Sequence, residues 1–375
     1  MKIDRVESRI VFGGWRNWIF VIVRTNEGLT GYGEATIRSR EHTVVAAIED
    51  MARYLLGKDP LRIEEHWQAL YRGFHWRGGP ILLSALSGIE QALWDILGKS
   101  VGLPVHALLG GACRDRMRAY ANGWYTGAKT PDDYARRAAD TVALGWTALK
   151  WNPFHGADRW LERDRLQHSI ACVRAVREAV GPHVDLAIET HGLFEAAGAL
   201  RMLHALEPYD VFFVEEPLPP ENAAAMAALK RQVRVPIATG ERRYTKWGFT
   251  EVLEQHAADI IQPDVCHAGG ILELKKIAAM AEAHYVGVAP HNSGGPIGTA
   301  ASLQVDACTP NFLIQECDPW DVPWRAELVN EPVERLVDGY FPLPTAPGLG
   351  ATLNEKVAEA HPYQAADSPA FVVQH

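Results

Sequence analysis

Through most of this chain, short apolar runs that close on polar residues alternate with longer segments of helical period. The opening is different. Residues 1–12, 17–25 and 29–35 read as strands, separated by turn residues at Gly13-Gly14 and Asn26-Glu27-Gly28. Helical periodicity follows over 41–56, 62–72 and 80–99. Gly102, Pro104 and Gly110-Gly111 then break it, and the pattern predicts an α+β domain over 1–115. From there eight runs recur, at 117–124, 147–152, 185–190, 211–216, 236–241, 259–264, 287–292 and 312–317. Seven segments long enough for a helix separate them, among them 131–144, 195–207 and 270–284. Strands alternating with helices imply a parallel sheet, and eight such units predict a closed α/β barrel over 116–324. No clear helix follows the eighth run. The Pro- and Gly-rich tail, 325–375, is expected to wrap back over the first domain.

Composition narrows the function classes. The 375 residues carry 37 basic and 46 acidic side chains, a net charge of −9, with no Lys/Arg-rich run, which argues against nucleic acid as a partner. The five cysteines (Cys113, Cys172, Cys266, Cys308, Cys317) are odd in number and scattered, with no C-x-x-C pair. Reduced thiols in a cytoplasmic protein are therefore expected. The N-terminus lacks the apolar core of a signal peptide, and no run of 18 apolar residues predicts a membrane span.

In a β/α barrel the active site forms where the strands end. Here the ends carry Lys150 and Asn152, Glu189 and His191, Glu215-Glu216, Glu241, Asp264, His291 and Glu316. Successive members from Glu189 to Glu316 are 26, 26, 23, 27 and 25 residues apart, about one β/α unit each. Glu189, Glu215 and Glu241 should converge on one mouth, where three carboxylates repel unless a cation sits among them. All-oxygen ligation predicts Mg²⁺, with Mn²⁺ as the alternative, rather than zinc. Only one of Glu215 and Glu216 can face that ion, because neighbouring strand residues point opposite ways.

His191 and His291 flank the triad as acid–base candidates, and Asp264 could hold the His291 imidazole, although an Asp there could equally cap a helix. Lys150, Asn152, Trp124, Tyr125 and His155 are expected to contact substrate. Glu316 is expected to hydrogen-bond a substrate carboxylate or a developing enediolate. The segments Gly13-Gly14-Trp15-Arg16 and His75-Trp76-Arg77-Gly78-Gly79 read as capping elements. No dinucleotide fingerprint or P-loop is present.

The chain resembles the enolase superfamily, in its mandelate racemase branch, and within that the acid-sugar dehydratases of the D-galactonate type. The resemblance rests on GYGEA, ALSGIEQALWDILGK, FFVEEP, PIATGER, DIIQPDVCHAGGI, APHNSGGPIG and NFLIQE, spread over nearly the whole sequence. It implies an α+β capping domain on a modified (β/α)7β TIM-like barrel. It also implies one Mg²⁺ held at Glu189, Glu215 and Glu241, and a His291–Asp264 dyad. His191 matches the dehydratases' second histidine and Glu316 the carboxylate-contacting Glu. The implied reaction is that of a lyase. His291 takes the C2 proton of a galactonate- or gluconate-type acid, His191 protonates the departing 3-hydroxyl, and a 2-keto-3-deoxy acid results. Relatives commonly assemble as homo-oligomers.

Two positions depart from the branch: Glu189 stands where Asp is usual, and Leu193 where the dehydratases usually carry Arg. A racemase, epimerase or cycloisomerase of the same superfamily is the nearest alternative, but Lys150-Trp151-Asn152 lacks the second lysine of a Lys-x-Lys base. A barrel hydrolase would place His-x-His where Tyr120-Ala121-Asn122 stands. A non-catalytic sugar-acid-binding barrel is the third reading, opposed by the intact acid–base set.

Overall fold

A computed structural model describes residues 1–157 and 159–365. Strands β1 (Ile3–Phe12), β2 (Asn17–Thr25) and β3 (Thr30–Glu34) form an antiparallel sheet, with Phe12 paired to Asn17 and Phe20 to Glu34. Helices α1 (Glu41–Leu55), α2 (Ile63–Arg72), α3 (Gly79–Val101) and the short α4 (Val105–Leu108) follow. β3 lies so close to α3 that a Cβ on Gly31 would meet the Ala92 carbonyl oxygen at 2.0 Å, and one on Gly33 the Gly88 oxygen at 1.9 Å. That approach explains the glycines of the GYGEA segment: only a hydrogen side chain lets strand and helix touch.

α3 is long and apolar enough to cross a membrane by length and composition, yet 83% of its apolar window is buried inside the protein. It is apolar because both sides are covered. One packs on the capping sheet and the other on the barrel segment from Val265 to Leu272. There the Glu90 carboxylate accepts the backbone N–H of Ile271 (2.7 Å) and Leu272 (3.0 Å), and Gly269 N–H donates to Ser87 Oγ (2.9 Å).

The barrel runs β4 (Arg116–Ala121), α5 (Pro131–Ala143), β5 (Ala148–Trp151), α6 (Arg163–Val180), β6 (Asp185–Glu189), α7 (Ala196–Leu206), β7 (Phe213–Glu215), α8 (Ala223–Lys230), β8 (Ile237–Thr239), α9 (Thr245–Glu254), β9 (Ile260–Ile261), α10 (Ile271–Ala283), β10 (Gly287–Val288), α11 (Pro296–Ala307) and β11 (Gln315–Cys317). The sheet order is β10-β9-β8-β7-β6-β5-β4-β11, and a parallel bridge between Val288 and Phe312 closes the ring. Among the described residues, eight strands with seven helices make the (β/α)7β arrangement, and each of the eight expected runs overlaps one strand.

One residue from each strand position fills the barrel interior: Tyr120, Ala148, Ala187, Phe213, Ala238, Ile260, Ala289 and Ile314. This layer is a packed floor. Side chains alternate faces along a strand, so the residue two further on stands above the floor. Counting two gives Asn122, Lys150, Glu189, Glu215, Gly240, Gln262, His291 and Glu316. The floor thus sets most of the site.

After β11 come a 3₁₀ turn (Arg325–Leu328), β12 (Tyr340–Pro342), which pairs antiparallel with β4, and α12 (Glu355–Ala360), a short helix the sequence pattern did not reveal. The segment touches the first domain: Glu355 accepts from Arg24 Nη2 (2.6 Å) and Tyr32 Oη (2.9 Å), and Phe12 N–H donates to the His361 carbonyl (3.0 Å). Residues 366–375 of the expected tail lie outside the described residues.

Glu34, fully buried, accepts hydrogen bonds from the N–H groups of Gly295 and Gly298 and from Thr36 Oγ1, which fastens β3 to the start of α11. Glu34→Ala is expected to cost about 3 kcal/mol, since it strands buried donors. Urea unfolding would measure it, and a loss within experimental error of zero would rule out the fastening role.

Candidate active site

The mouth opens into a cavity of about 1280 Å³ between the two domains, with Trp15, Arg16 and Arg38 of the cap facing the strand ends. Glu189, Glu215 and Glu241 each offer an oxygen within 4.8 Å of the others. Burial, with the Glu215 and Glu241 charges, pushes Glu189 well above the usual carboxylate range. Glu215 Oε1 is buried without a hydrogen-bond partner. An unpaired carboxylate oxygen facing two other acids is a cost that a cation removes, so the donor set fits a hard divalent ion. Glu216 turns away: its φ is +44°, and it pairs with Arg242 (Nε to Oε2, 2.8 Å).

Lys150 is only 1% exposed and lines the same mouth. Its Nζ lies 2.6 Å from Glu215, 2.8 Å from Glu316 and 3.8 Å from Glu189. Lys150 is thus an internal counter-ion to three acids at the cavity wall. Glu316 also lines the cavity. It accepts from Lys150 Nζ and Asn122 Nδ2 (2.8 Å each) and from the Asn292 N–H (3.0 Å). Burial pushes its carboxyl up, but the Lys150 and His291 charges and these bonds outweigh burial and bring it to about 2.

His291 Nδ1 lies 2.7 Å from Asp264 Oδ2, and Nε2 faces Glu241 at 3.2 Å. Asp264 Oδ1 also accepts the Cys266 N–H at 2.6 Å, so this carboxylate orients the imidazole and shapes the following turn. Burial lowers the basicity of His291, but the Glu241 and Glu316 charges and the Asp264 bond overcome it and raise the ring to about 10.

His191 stands two residues past the end of β6, four strands from β10 around a ring of eight, on the opposite side of the mouth. Its φ of +49° and the following Gly192 make the turn that lifts it there. Partial removal from water lowers its pKa. Asn152, expected at the substrate, instead serves His191. Its Oδ1 accepts from the Phe154 N–H (2.8 Å), which leaves Nδ2 facing His191 Nδ1 at 3.4 Å. In the neutral ring Nδ1 is then the acceptor and Nε2, 3.9 Å from Glu189 Oε2, carries the proton.

The remaining expected contacts divide. Tyr125 lines the cavity. Trp124 also borders it but is 5% exposed, donates Nε1–H to the Lys150 carbonyl (2.9 Å) and packs on Trp151, so it is mainly wall. His155 is exposed on the turn after β5 and does not line the cavity. Of the two capping segments, Gly14-Trp15-Arg16 lines the cavity; Trp76 is 89% exposed.

The description "Enolase C-terminal domain-like" matches residues 133–357, and "Mandelate racemase / muconate lactonizing enzyme, N-terminal domain" matches residues 10–110. The chain belongs to the enolase superfamily. Within the superfamily's mandelate racemase branch, it is 42% identical over 344 residues to the D-galactonate dehydratase of Ralstonia nicotianae, covering 90% of this chain and 89% of that one. To the D-galactonate dehydratase of Pectobacterium atrosepticum it is 39% identical over 346 residues, covering 91% and 90%. The crystal structure of a mandelate racemase/muconate lactonizing enzyme from a Sulfitobacter species matches with a TM-score of 0.91 at 38% identity, covering 97% and 96%.

Sequence reasoning missed several residues of this enolase-superfamily site. Asn122 was findable, since it stands two past Tyr120 of the floor. His267 and the buried ion network of Arg16 with Asp318 (3.2 Å) and Asp321 (2.8 Å) depend on contacts between distant segments. No spacing rule points to them.

Proposed function

We propose that this protein is a Mg²⁺-dependent dehydratase of a galactonate- or gluconate-type acid, forming a 2-keto-3-deoxy acid. The coarser assignment is firmer: it is an acid-sugar dehydratase, a carbon–oxygen lyase of the enolase superfamily. The observation that carries the finer reading is the pair of opposed imidazoles. One, His291, has Asp264 on Nδ1, and the other, His191, lines the cavity with Asn152 Nδ2 facing its Nδ1. Glu189, Glu215 and Glu241 would hold the ion. When bound, it would supply positive charge for an anionic substrate and cancel the carboxylate field that otherwise keeps His291 protonated.

His291 Nε2 takes the C2 proton, with Asp264 fixing the ring and supporting the charge it gains. His191, as the imidazolium, gives a proton to the departing C3 oxygen and becomes neutral, water leaves, and the enol tautomerises to the ketone. The cap closes the cavity over the polyol. Lysine-based racemisation fits poorly, because Lys150 is surrounded by carboxylates and Asn152 is bound to His191. The reading places the enzyme in the cytoplasm as a homo-oligomer.

The test is a panel of sugar acids with Mg²⁺ and semicarbazide detection of 2-keto products. Product from at least one aldonate is expected, and none from any would overturn the proposal. Exhaustive chelation should abolish turnover, with Mg²⁺ or Mn²⁺ restoring it; undiminished turnover after chelation would remove the ion from the scheme. NMR titration adds a second check. In metal-free protein His291 should hold its proton through neutral pH, and Mg²⁺ should move its titration downward. A titration unmoved by saturating Mg²⁺ would contradict the triad as the ion site.

A further inference from the structure

His267 lines the cavity but has no part in the proton transfers above. It lies in the turn after β9, and its side chain is 14% exposed. The capping helix reaches it: Ser84 Oγ of α3 is 2.8 Å from His267 Nδ1. Ser84 has one hydroxyl proton, and Pro80 O, 2.6 Å away, takes it. Ser84 Oγ must therefore accept from the ring, so His267 carries its proton on Nδ1. Its Nε2 is then a lone pair. The nearest charged group, Asp264 Oδ2, is 3.6 Å away, beyond hydrogen-bond range, and already accepts from His291 at 2.7 Å. Nε2 and Asp264 Oδ2 are then both acceptors, on a ring that borders the cavity. Burial also lowers the basicity of His267, which agrees with a neutral ring.

We infer that His267 reads the substrate: its Nε2 accepts a hydrogen bond from a hydroxyl of the sugar acid on the His291 side of the cavity. This rests on the dehydratase reading above. A site built to accept from a hydroxyl penalises an analogue lacking it, because the acceptor is left unpaired. The capping helix takes part in specificity through Ser84, which fixes the ring's tautomer from another domain.

The test compares wild type with His267→Asn and His267→Gln, using a sugar acid and its monodeoxy analogues. Asn keeps a donor for Ser84 but loses the acceptor, whereas Gln can place an oxygen near the Nε2 position. His267→Asn should raise KM about tenfold or more, with kcat changed less, and Gln should recover part of the loss. One monodeoxy analogue should be poor for wild type and no poorer for the Asn variant. An unchanged KM, or a loss equal for all analogues, overturns the inference. Should the Asn variant misfold, Ser84→Ala frees the ring to protonate Nε2, and the same rise in KM is expected.

If wild type turns over no sugar acid, the dehydratase reading fails, and calorimetric binding of the same acids decides the His267 inference separately. About tenfold weaker binding by the Asn variant supports it; equal binding, or none by either protein, overturns it.

Discussion

His291→Asn is expected to lower turnover by about 10²–10⁴ while the protein stays folded and still binds a divalent cation. Asn nearly matches the imidazole in reach, and its amide can donate to Asp264, so the dyad's geometry is largely kept. What it cannot do is accept a proton at the Nε2 position. The comparison with Asp264→Asn sharpens the result. That change leaves the base but removes its orienting charge, so a smaller loss and a lower pH for the ascending, acid-side limb of the kcat/KM profile are expected. The direction follows from the Asp264 bond, which is one of the terms that raise His291. Semicarbazide-detected product and Mn²⁺ binding by electron paramagnetic resonance are the measurements. Near-normal turnover by His291→Asn would move the base elsewhere.

Lys150→Met is expected to destabilise the metal-free protein by about 3–5 kcal/mol, the usual consequence of removing one partner from a buried ion cluster. Met fills similar volume, so the loss is electrostatic rather than a cavity. The Glu215 and Glu316 carboxylates, at 2.6 and 2.8 Å, lose their counter-ion together. Saturating Mg²⁺ should return part of the loss, because it restores positive charge beside Glu215 but leaves Glu316 short of a donor. Urea unfolding with and without chelator measures both. If stability is unchanged and only KM rises, Lys150 touches substrate and is not an internal counter-ion.

How much was legible follows from geometry. Every barrel strand could be located, because an apolar run ending in a polar residue repeats at the length of one β/α unit. The ends of those runs gave the triad, His191, His291 and Asp264, since a parallel barrel brings all strand ends to one rim. Roles were less legible than positions. Lys150 and Asn152 share a face of β5 and look alike on paper as substrate contacts. One turns out to neutralise acids on β6, β7 and β11, and the other to orient a histidine in the turn after β6. His155 looked equivalent but does not line the cavity.

The chain's own pattern thus determined the barrel, its cap and the set of groups at the mouth, because periodicity and unit length act through local backbone geometry. Tertiary structure alone decided which group answers which. Closing the ring set Glu316 of β11 beside Lys150 of β5, and α3 put Ser84 against His267, 183 residues away in sequence. Protonation states, tautomers and counter-ions depend on such through-space neighbours. Those separations are fixed only when sheet and cap have packed.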